Sequence, residues 1–318
     1  MSALGIVGGV LQAALVVAGS PLLVGWMRQI RARLEGRVGA GVVQPWRDLR
    51  KLFRKEAIAP AGTSEVFRFT PLVLVGSTLV VAAAIPFVTD ASALGPGADL
   101  FAVVALLAMG TATLALAGLD TGTAFGGMGA SRATTIIALV EPSLLMAIFA
   151  LSVPVGSTNL ASIVHSALRN PAQVLSPASL LAAVALLMVT VAETGRLPVD
   201  NPSTHLELTM IHEAMVLEYS GPDLALVELS ASMRLSVFLG LLASLFAPWG
   251  IATSLDPVPL GVGVVVFAAK VLVLGTAVAV GEVFVAKLRL FRVPELLAGS
   301  FLLGLLAVAA SFFLSRQP

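Results

Sequence analysis

The chain has 318 residues, 58% of them hydrophobic and 12% charged, with a mean hydropathy of +0.98 and a formal net charge of +1. Soluble domains carry about 25% charged residues, so a soluble globular fold is excluded, and a near-neutral chain has no electrostatic footprint for nucleic acid. The absence of cysteine removes disulfides, thiolate zinc sites and iron–sulfur clusters from this chain's own chemistry.

Backbone inside a bilayer must satisfy its own hydrogen bonds, so long apolar runs here mean helices. The expected fold class is an all-α integral membrane protein, one polytopic domain over 1–318 with about eight transmembrane helices. Residues 4–26 form the first predicted span. No basic residue precedes it, which argues against a secretory signal peptide. Residues 42–57 interleave Arg47, Arg50, Lys51, Arg54 and Lys55 with Leu49, Leu52 and Phe53, the pattern of an amphipathic helix lying at the interface. Residues 69–87 and 100–119 are the second and third spans. A glycine-rich loop is expected over 120–132, then a fourth span over 134–154 carrying Glu141, and a polar loop over 155–176. The fifth span, 177–192, is short but extends into Glu193. For the sixth, the apolar run 235–246 is too short for a hydrocarbon core of about 30 Å, which needs about 20 residues. Extension back to Leu224 supplies the length and brings in Glu228 and Arg234. The seventh span, 261–284, contains Lys270 and Glu282, and 294–314 is the eighth.

Between the fifth and sixth spans lies a stretch unlike the rest. Residues 193–221 hold Glu193, Asp200, Glu207, Glu213 and Glu218 together with His205 and His212. Asn201-Pro202 reads as a helix start and Gly221-Pro222 as a helix stop. About 18 helical residues are expected between them, with Glu207 and Glu218 on one face. Acids and large apolar residues point in all directions from such a helix, which predicts burial in protein. Buried carboxylates change protonation nearer neutral pH, so the stretch is expected to carry protons; a solvated loop helix is the plainer alternative. The three histidines do not form an HExxH pair, and no metal site is expected.

Fifteen of the 19 basic residues fall in the loops after spans one, three, five and seven, against Arg169 and Arg316 on the other side. The positive-inside rule then places the acidic stretch in the cytoplasm and both termini outside it. A charge at mid-bilayer costs about 2.5–3.5 kcal/mol on insertion scales. Glu141, Glu228, Arg234, Lys270 and Glu282 are therefore expected to face protein or water. Glu228 pairing with Arg234 or a neighbour is the structural reading, and snorkelling to the interface is the one for Glu282. Glu35, Glu56 and Glu65, set among basic residues, read as surface charges.

Four stretches together carry a family resemblance: RARLEGRVGAGVVQPWRDLRKLFRKE at 31–56, GLDTGTAFGGMGASR at 118–132, ETGRLPVDNPSTHLELTMIHEAMVLEYSG at 193–221 and AKLRLFRVPEL at 286–296. The chain resembles the membrane subunit shared by respiratory complex I (subunit 1, the NuoH type) and the group 4 nickel–iron hydrogenases. The branch called formate hydrogenlyase subunit 4, or hydrogenase-4 component C, is the nearer. The resemblance implies a first and a fifth-to-sixth cytoplasmic loop packed against a peripheral redox arm. By position, Glu193, Arg196 and Asp200 match the E-x-x-R-x-P-x-D core of the acidic loop, Glu207, Glu213 and Glu218 continue it, and Glu141 matches an acid of the fourth span. Arg37 and Asp48 match the first-loop signature.

Departures from the complex I pattern are Met27-Arg28 in place of Glu-Arg, Arg37-Val-Gly39-Ala40 in place of Arg-x-Gly-Pro, and Val199 in place of Phe. They count against a quinone ligand. The resemblance thus implies a non-catalytic membrane-anchor and proton-translocating subunit in the inner (plasma) membrane. Its expected partners are hydrogenase-like large and small peripheral subunits and antiporter-like membrane subunits. No cofactor is expected in this chain, the nickel–iron centre and iron–sulfur clusters belonging to partners. Glu141, Glu193, Asp200, Glu207, Glu213, Glu218, Glu228, Lys270 and Glu282 are the expected proton path. Arg37, Asp48, Arg50, Lys51 and Arg196 are the expected docking residues. The alternatives are a quinone-chamber subunit of NADH:quinone oxidoreductase and a stand-alone proton or cation transporter. Against the latter stand the missing internal repeat and the large basic face.

Overall fold

The computed structural model describes residues 3–200, 210–254 and 256–315, and among these it is all-helical, with no sheet beyond two isolated bridges. Seven helices are long and apolar enough to cross a membrane: α1 (Ala3–Leu34), α3 (Glu65–Ala84), α4 (Leu100–Asp120), α5 (Ala124–Ser152), α10 (Gly221–Phe246), α11 (Pro257–Phe284) and α12 (Val293–Ser315). The expected fifth span is α8 (Pro177–Glu193), apolar but only 17 residues long. Short helices fill the connections: α2 (Gln44–Leu52), α6 (Leu160–Arg169), α7 (Pro171–Val174) and α9 (His212–Val216). The chain is a multi-pass membrane protein.

Helix α10 is the axis of the bundle. It packs against α1, α3, α11 and α8, and 83% of its apolar window is buried, against 28–44% in the other spans. A helix shielded from lipid on nearly every side can carry charge, and this is where Glu228 and Arg234 sit. Helix α4 packs between α3 and α5, while α12 packs on α5 and α8. The ends alternate, so α9 and the turns around it share one end with α2; we call this the acidic end. The far end holds the α6–α7 connection.

Several local expectations give way. Helix α10 begins at Gly221, so Gly221-Pro222 opens a helix rather than stopping one, with Pro in the first turn where its missing N–H costs nothing. The expected 18-residue helix before it is reduced, among the described residues, to α9; residues 201–209, with His205 and Glu207, lie outside the described part. Tertiary contacts break the helix. Tyr219 stacks on Phe67, ring centroids 4.1 Å apart, and its hydroxyl donates to the Phe67 carbonyl at 2.9 Å. Ser220 accepts from the Ile58 amide at 2.9 Å and donates to the Ile58 carbonyl at 3.1 Å. Gly221 has φ +53°, and a Cβ there would stand 2.4 Å from the Glu56 carbonyl oxygen. Among the described residues the expectation of burial holds for Met210, Ile211, Ala214, Met215, Val216 and Tyr219, while Leu217 is exposed.

The glycine-rich stretch is helix, not loop. Helix α5 starts at Ala124, and its glycines serve packing: a Cβ on Gly126 would lie 2.3 Å from the Gly118 carbonyl oxygen, and one on Gly129 2.9 Å from the Ala214 side chain. Small residues let helices approach this closely. The expected polar loop 155–176 holds α6 and α7. The interfacial helix is shorter than expected, and α2 buries Pro45 and Leu49 while Arg47, Arg50 and Lys51 stay exposed. Trp46 pins it to α1 by donating to the Ala18 carbonyl at 3.1 Å. At the far end, the fully buried Gln12 accepts from the amides of Phe87, Val88 and Thr89 at 2.9–3.2 Å, satisfying the chain where it leaves α3.

Candidate functional site

A cavity of about 450 Å³ opens at the acidic end between α1, α3, α4, the end of α8, the following loop, α9 and α10. Nine of its twenty lining residues are ionisable. Glu193, Asp200, Glu213 and Glu228 face Arg28, Arg31, Arg196, Arg234 and His212 across it. The acidic stretch thus forms one wall, and the basic end of α1 together with α10 forms the other.

At the inner end of the cavity Glu193 is ion-paired with Arg234, the two side chains only 6% and 7% exposed. Arg234 also donates to the Leu107 carbonyl at 2.9 Å, and the Thr111 hydroxyl lies 3.2 Å from the Glu193 carboxylate as donor. Gly110 makes the space, for a Cβ there would be 2.9 Å from the Arg234 guanidinium. The expected Glu228–Arg234 pair does not form. Six residues along a helix turn through about 600°, so the two side chains leave α10 in different directions. Glu228 opens instead into the cavity, facing Arg28, His212 and Glu213. It also lines a second cavity, of about 240 Å³, between α1, α2 and α10, and the two share Val24, Arg28, Glu228 and Ser232.

A second charged layer ties the loop to neighbouring helices. Glu282 of α11, its side chain 3% exposed, takes Arg31 at 3.3 Å and Arg196 at 3.4 Å. It does not snorkel; the two guanidiniums satisfy it in place. Burial pulls the Arg196 pKa below its ordinary value, opposed by the Glu282 charge and reinforced by Arg31 and Arg28. Asp200 accepts from Lys287 at 3.3 Å and from the His212 amide at 3.3 Å, and Arg132 donates to the Met210 carbonyl at 3.0 Å. The Leu197–Pro198 peptide is cis, and the Pro198 carbonyl accepts from the Leu288 amide at 2.9 Å.

The expected site residues therefore divide. Glu193, Arg196, Asp200, Glu213 and Glu228 meet at the cavity, with Glu282 directly behind it. Glu141, on α5, does not line the cavity but lies within electrostatic reach of Glu193. Glu218 is half-buried outside it, and Glu207 lies outside the described residues. Lys270 is not part of the cluster. Its ammonium caps the backbone carbonyls of Ala247 and Trp249, which follow the far end of α10, where a cation suits the free carbonyls of a helix C-terminus. Asp48 accepts from Gln44 at 2.9 Å and borders the side cavity, while Arg37, Arg50 and Lys51 are exposed at the acidic end. Sequence reading passed over Arg28, Arg31, Thr111 and Ser230 as members of the site. The two arginines stand three apart on a helix that continues past the apolar run, a spacing that puts both on one face; Thr111 and Ser230 carried no signal.

Fold and site define a class: a polytopic helical membrane protein that shelters a cluster of ionisable groups at one end of its bundle. The chain belongs to the NADH dehydrogenase family, whose model matches residues 7–313. It is 35% identical to hydrogenase-4 component C of Escherichia coli (strain K12), over 93% of this chain and 92% of that one. Formate hydrogenlyase subunit 4 of the same organism is also 35% identical, over 93% and 95%. An NADH-quinone oxidoreductase subunit of Ralstonia pickettii (strain 12J) is 31% identical over 70% of this chain and 65% of that one. Among solved structures, a chain of the membrane-bound sulfane sulfur reductase, an archaeal respiratory membrane complex, shares the fold with a TM-score of 0.79. It is 20% identical, with coverage of 96% and 99%.

Proposed function

We propose that the chain is the membrane-anchor and proton-translocating subunit of a hydrogenase-type respiratory complex. The observation that carries this reading is the cavity: carboxylates and guanidiniums gathered under cover at one end of the bundle, reaching inward to the Glu193–Arg234 pair. The two relatives at 35% identity, by name a hydrogenase component and a formate hydrogenlyase subunit, support it. A peripheral arm, whose own subunits hold the nickel–iron centre and iron–sulfur clusters, docks on the exposed basic face of Arg37, Arg50 and Lys51. Charge arriving above the cavity draws in a proton, which Glu213 and Glu228 receive first. Transfer to Glu193 weakens its hold on Arg234, and Arg234 stays in place through the Leu107 carbonyl. Glu141 is the next acceptor on the way to antiporter-like neighbours. In this reading the acidic end is cytoplasmic and the protein sits in the inner (plasma) membrane.

The test is Glu193→Gln and Glu213→Gln in the assembled complex. Each is expected to reduce proton-coupled turnover at least about tenfold, about 1.4 kcal/mol of barrier; Glu213→Gln leaves assembly intact, while Glu193→Gln, which strands the buried Arg234 charge, also lowers stability. Wild-type turnover in both variants removes the reading. The side cavity between α1, α2 and α10 favours a second reading, a quinone chamber entered laterally. Sensitivity to quinone-site inhibitors, lost on filling that cavity by Ser232→Phe, selects it.

A further inference from the structure

The far end of the bundle holds a separate cavity of about 320 Å³, away from the charged cluster. Its origin lies in the length of α8. Seventeen residues span about 26 Å, a few ångströms short of a hydrocarbon core of about 30 Å. The space over the start of α8 is walled by the ends of α5, α10 and α12 and roofed by α6 and α7. Ten of the fourteen lining residues are apolar, among them Leu151, Val155, Ile163 and Leu245. Of the four polar ones, three are engaged: Gln173 accepts from Ser166 at 3.1 Å, Ser176 accepts from the Ser179 amide at 3.2 Å, and Ser311 donates to the Ala150 carbonyl at 2.7 Å. The fourth, Ser179, is 2% exposed and its hydroxyl has no partner.

We propose that this cavity binds one acyl chain of an anionic phospholipid. An apolar space with a single free hydroxyl offers water too few partners, whereas an acyl chain needs none and its ester carbonyl gives Ser179 an acceptor. Leu314 of the lining is exposed, as are Leu175 and Leu180, which adjoin the lining residues Val174, Ser176 and Ser179 in sequence, so the cavity borders a lipid-facing surface. The headgroup preference comes from Arg169. It is exposed at the last turn of α6, and the chain on both sides of it, Ala167 and Gln173, lines the cavity. An exposed guanidinium on the segment that roofs the cavity attracts a negatively charged phosphate head.

Native mass spectrometry of the complex purified in mild detergent tests the proposal on the wild type, Ala178→Phe, Ala167→Phe and Arg169→Gln. The wild-type subunit is expected to carry one phospholipid, enriched in anionic species over the membrane extract. Either cavity-filling variant is expected to lose it. Arg169→Gln keeps the lipid but drops its anionic share to that of the extract. A wild-type subunit without lipid, or equal retention in a filled variant, overturns the proposal. Should both filled variants fail to assemble, Arg169→Gln decides: its side chain is exposed, and an unchanged headgroup composition counts against the site.

Discussion

Arg234 and Glu193 illustrate what a charge costs inside this bundle. Removing one partner of a buried ion pair typically costs about 3–5 kcal/mol, because the other charge is left uncompensated, whereas replacing both with apolar groups is often neutral. Arg234→Met is therefore expected to lower the thermal midpoint of the detergent-solubilised complex sharply. Glu193→Leu with Arg234→Met is expected to recover most of the loss while remaining inactive. A double-mutant cycle on thermal unfolding gives the coupling directly. Tyr219 makes a pH-dependent contribution. Burial raises its pKa above the ordinary value of 10.0, with Thr70 opposing and Asp223 and Asp120 adding. A raised folded pKa means that the fold prefers the neutral hydroxyl. That stability is whole below about pH 10 and is lost as pH rises further. Tyr219→Phe keeps the stack on Phe67, gives up about 1 kcal/mol for the hydrogen bond, and is expected to flatten the alkaline decline measured by thermal unfolding.

At the scale of the element, connections hold their shape through buried polar groups that no hydropathy pattern displays. Gln12 closes the far end of α3 with one carboxamide oxygen shared by three amides. Gln12→Leu leaves those donors without an acceptor, at about 1–3 kcal/mol for each one that finds no other partner, and the thermal midpoint is expected to fall accordingly. The spans themselves were legible in sequence, since lipid demands a long apolar run and tolerates little else. That the sixth takes in Glu228 and Arg234 was legible too, because only extension through them gave it sufficient length. Gly221-Pro222 was not, because the same dipeptide that ends one helix can start the next, and the choice rests on Tyr219 and Ser220 finding Phe67 and Ile58. Gly126 and Gly129 misled for a related reason: in water glycine marks loops, but here it lets α5 meet α4 and α9. Of the site, the acids of the 193–221 stretch were visible as an anomaly of composition. The partner of Arg234 was not, since it comes from α8, 41 positions away.

For the whole molecule, the charge distribution separates two tasks. Exposed Arg47, Arg50, Lys51, Arg54 and Lys55 make a basic face at the acidic end, while the balanced charges of the cavity lie beneath cover. Exposed charges steer and orient partners, and salt screens them over about 8–10 Å. On the proposed docking, Arg50→Glu with Lys51→Glu is expected to release the partner at lower ionic strength than the wild type, read by co-purification across a salt series. Turnover of the complexes that remain assembled should be little changed.

The contact of Ser220 and Gly221 with Glu56 and Ile58 fastens the segment following the basic helix to the first residue of the bundle's central rod. Two hydrogen bonds and one close backbone approach make the join, so displacing either segment works against the other. In the proposed reading, a partner seated on the outer face therefore bears on the root of the helix that carries Glu228 and Arg234.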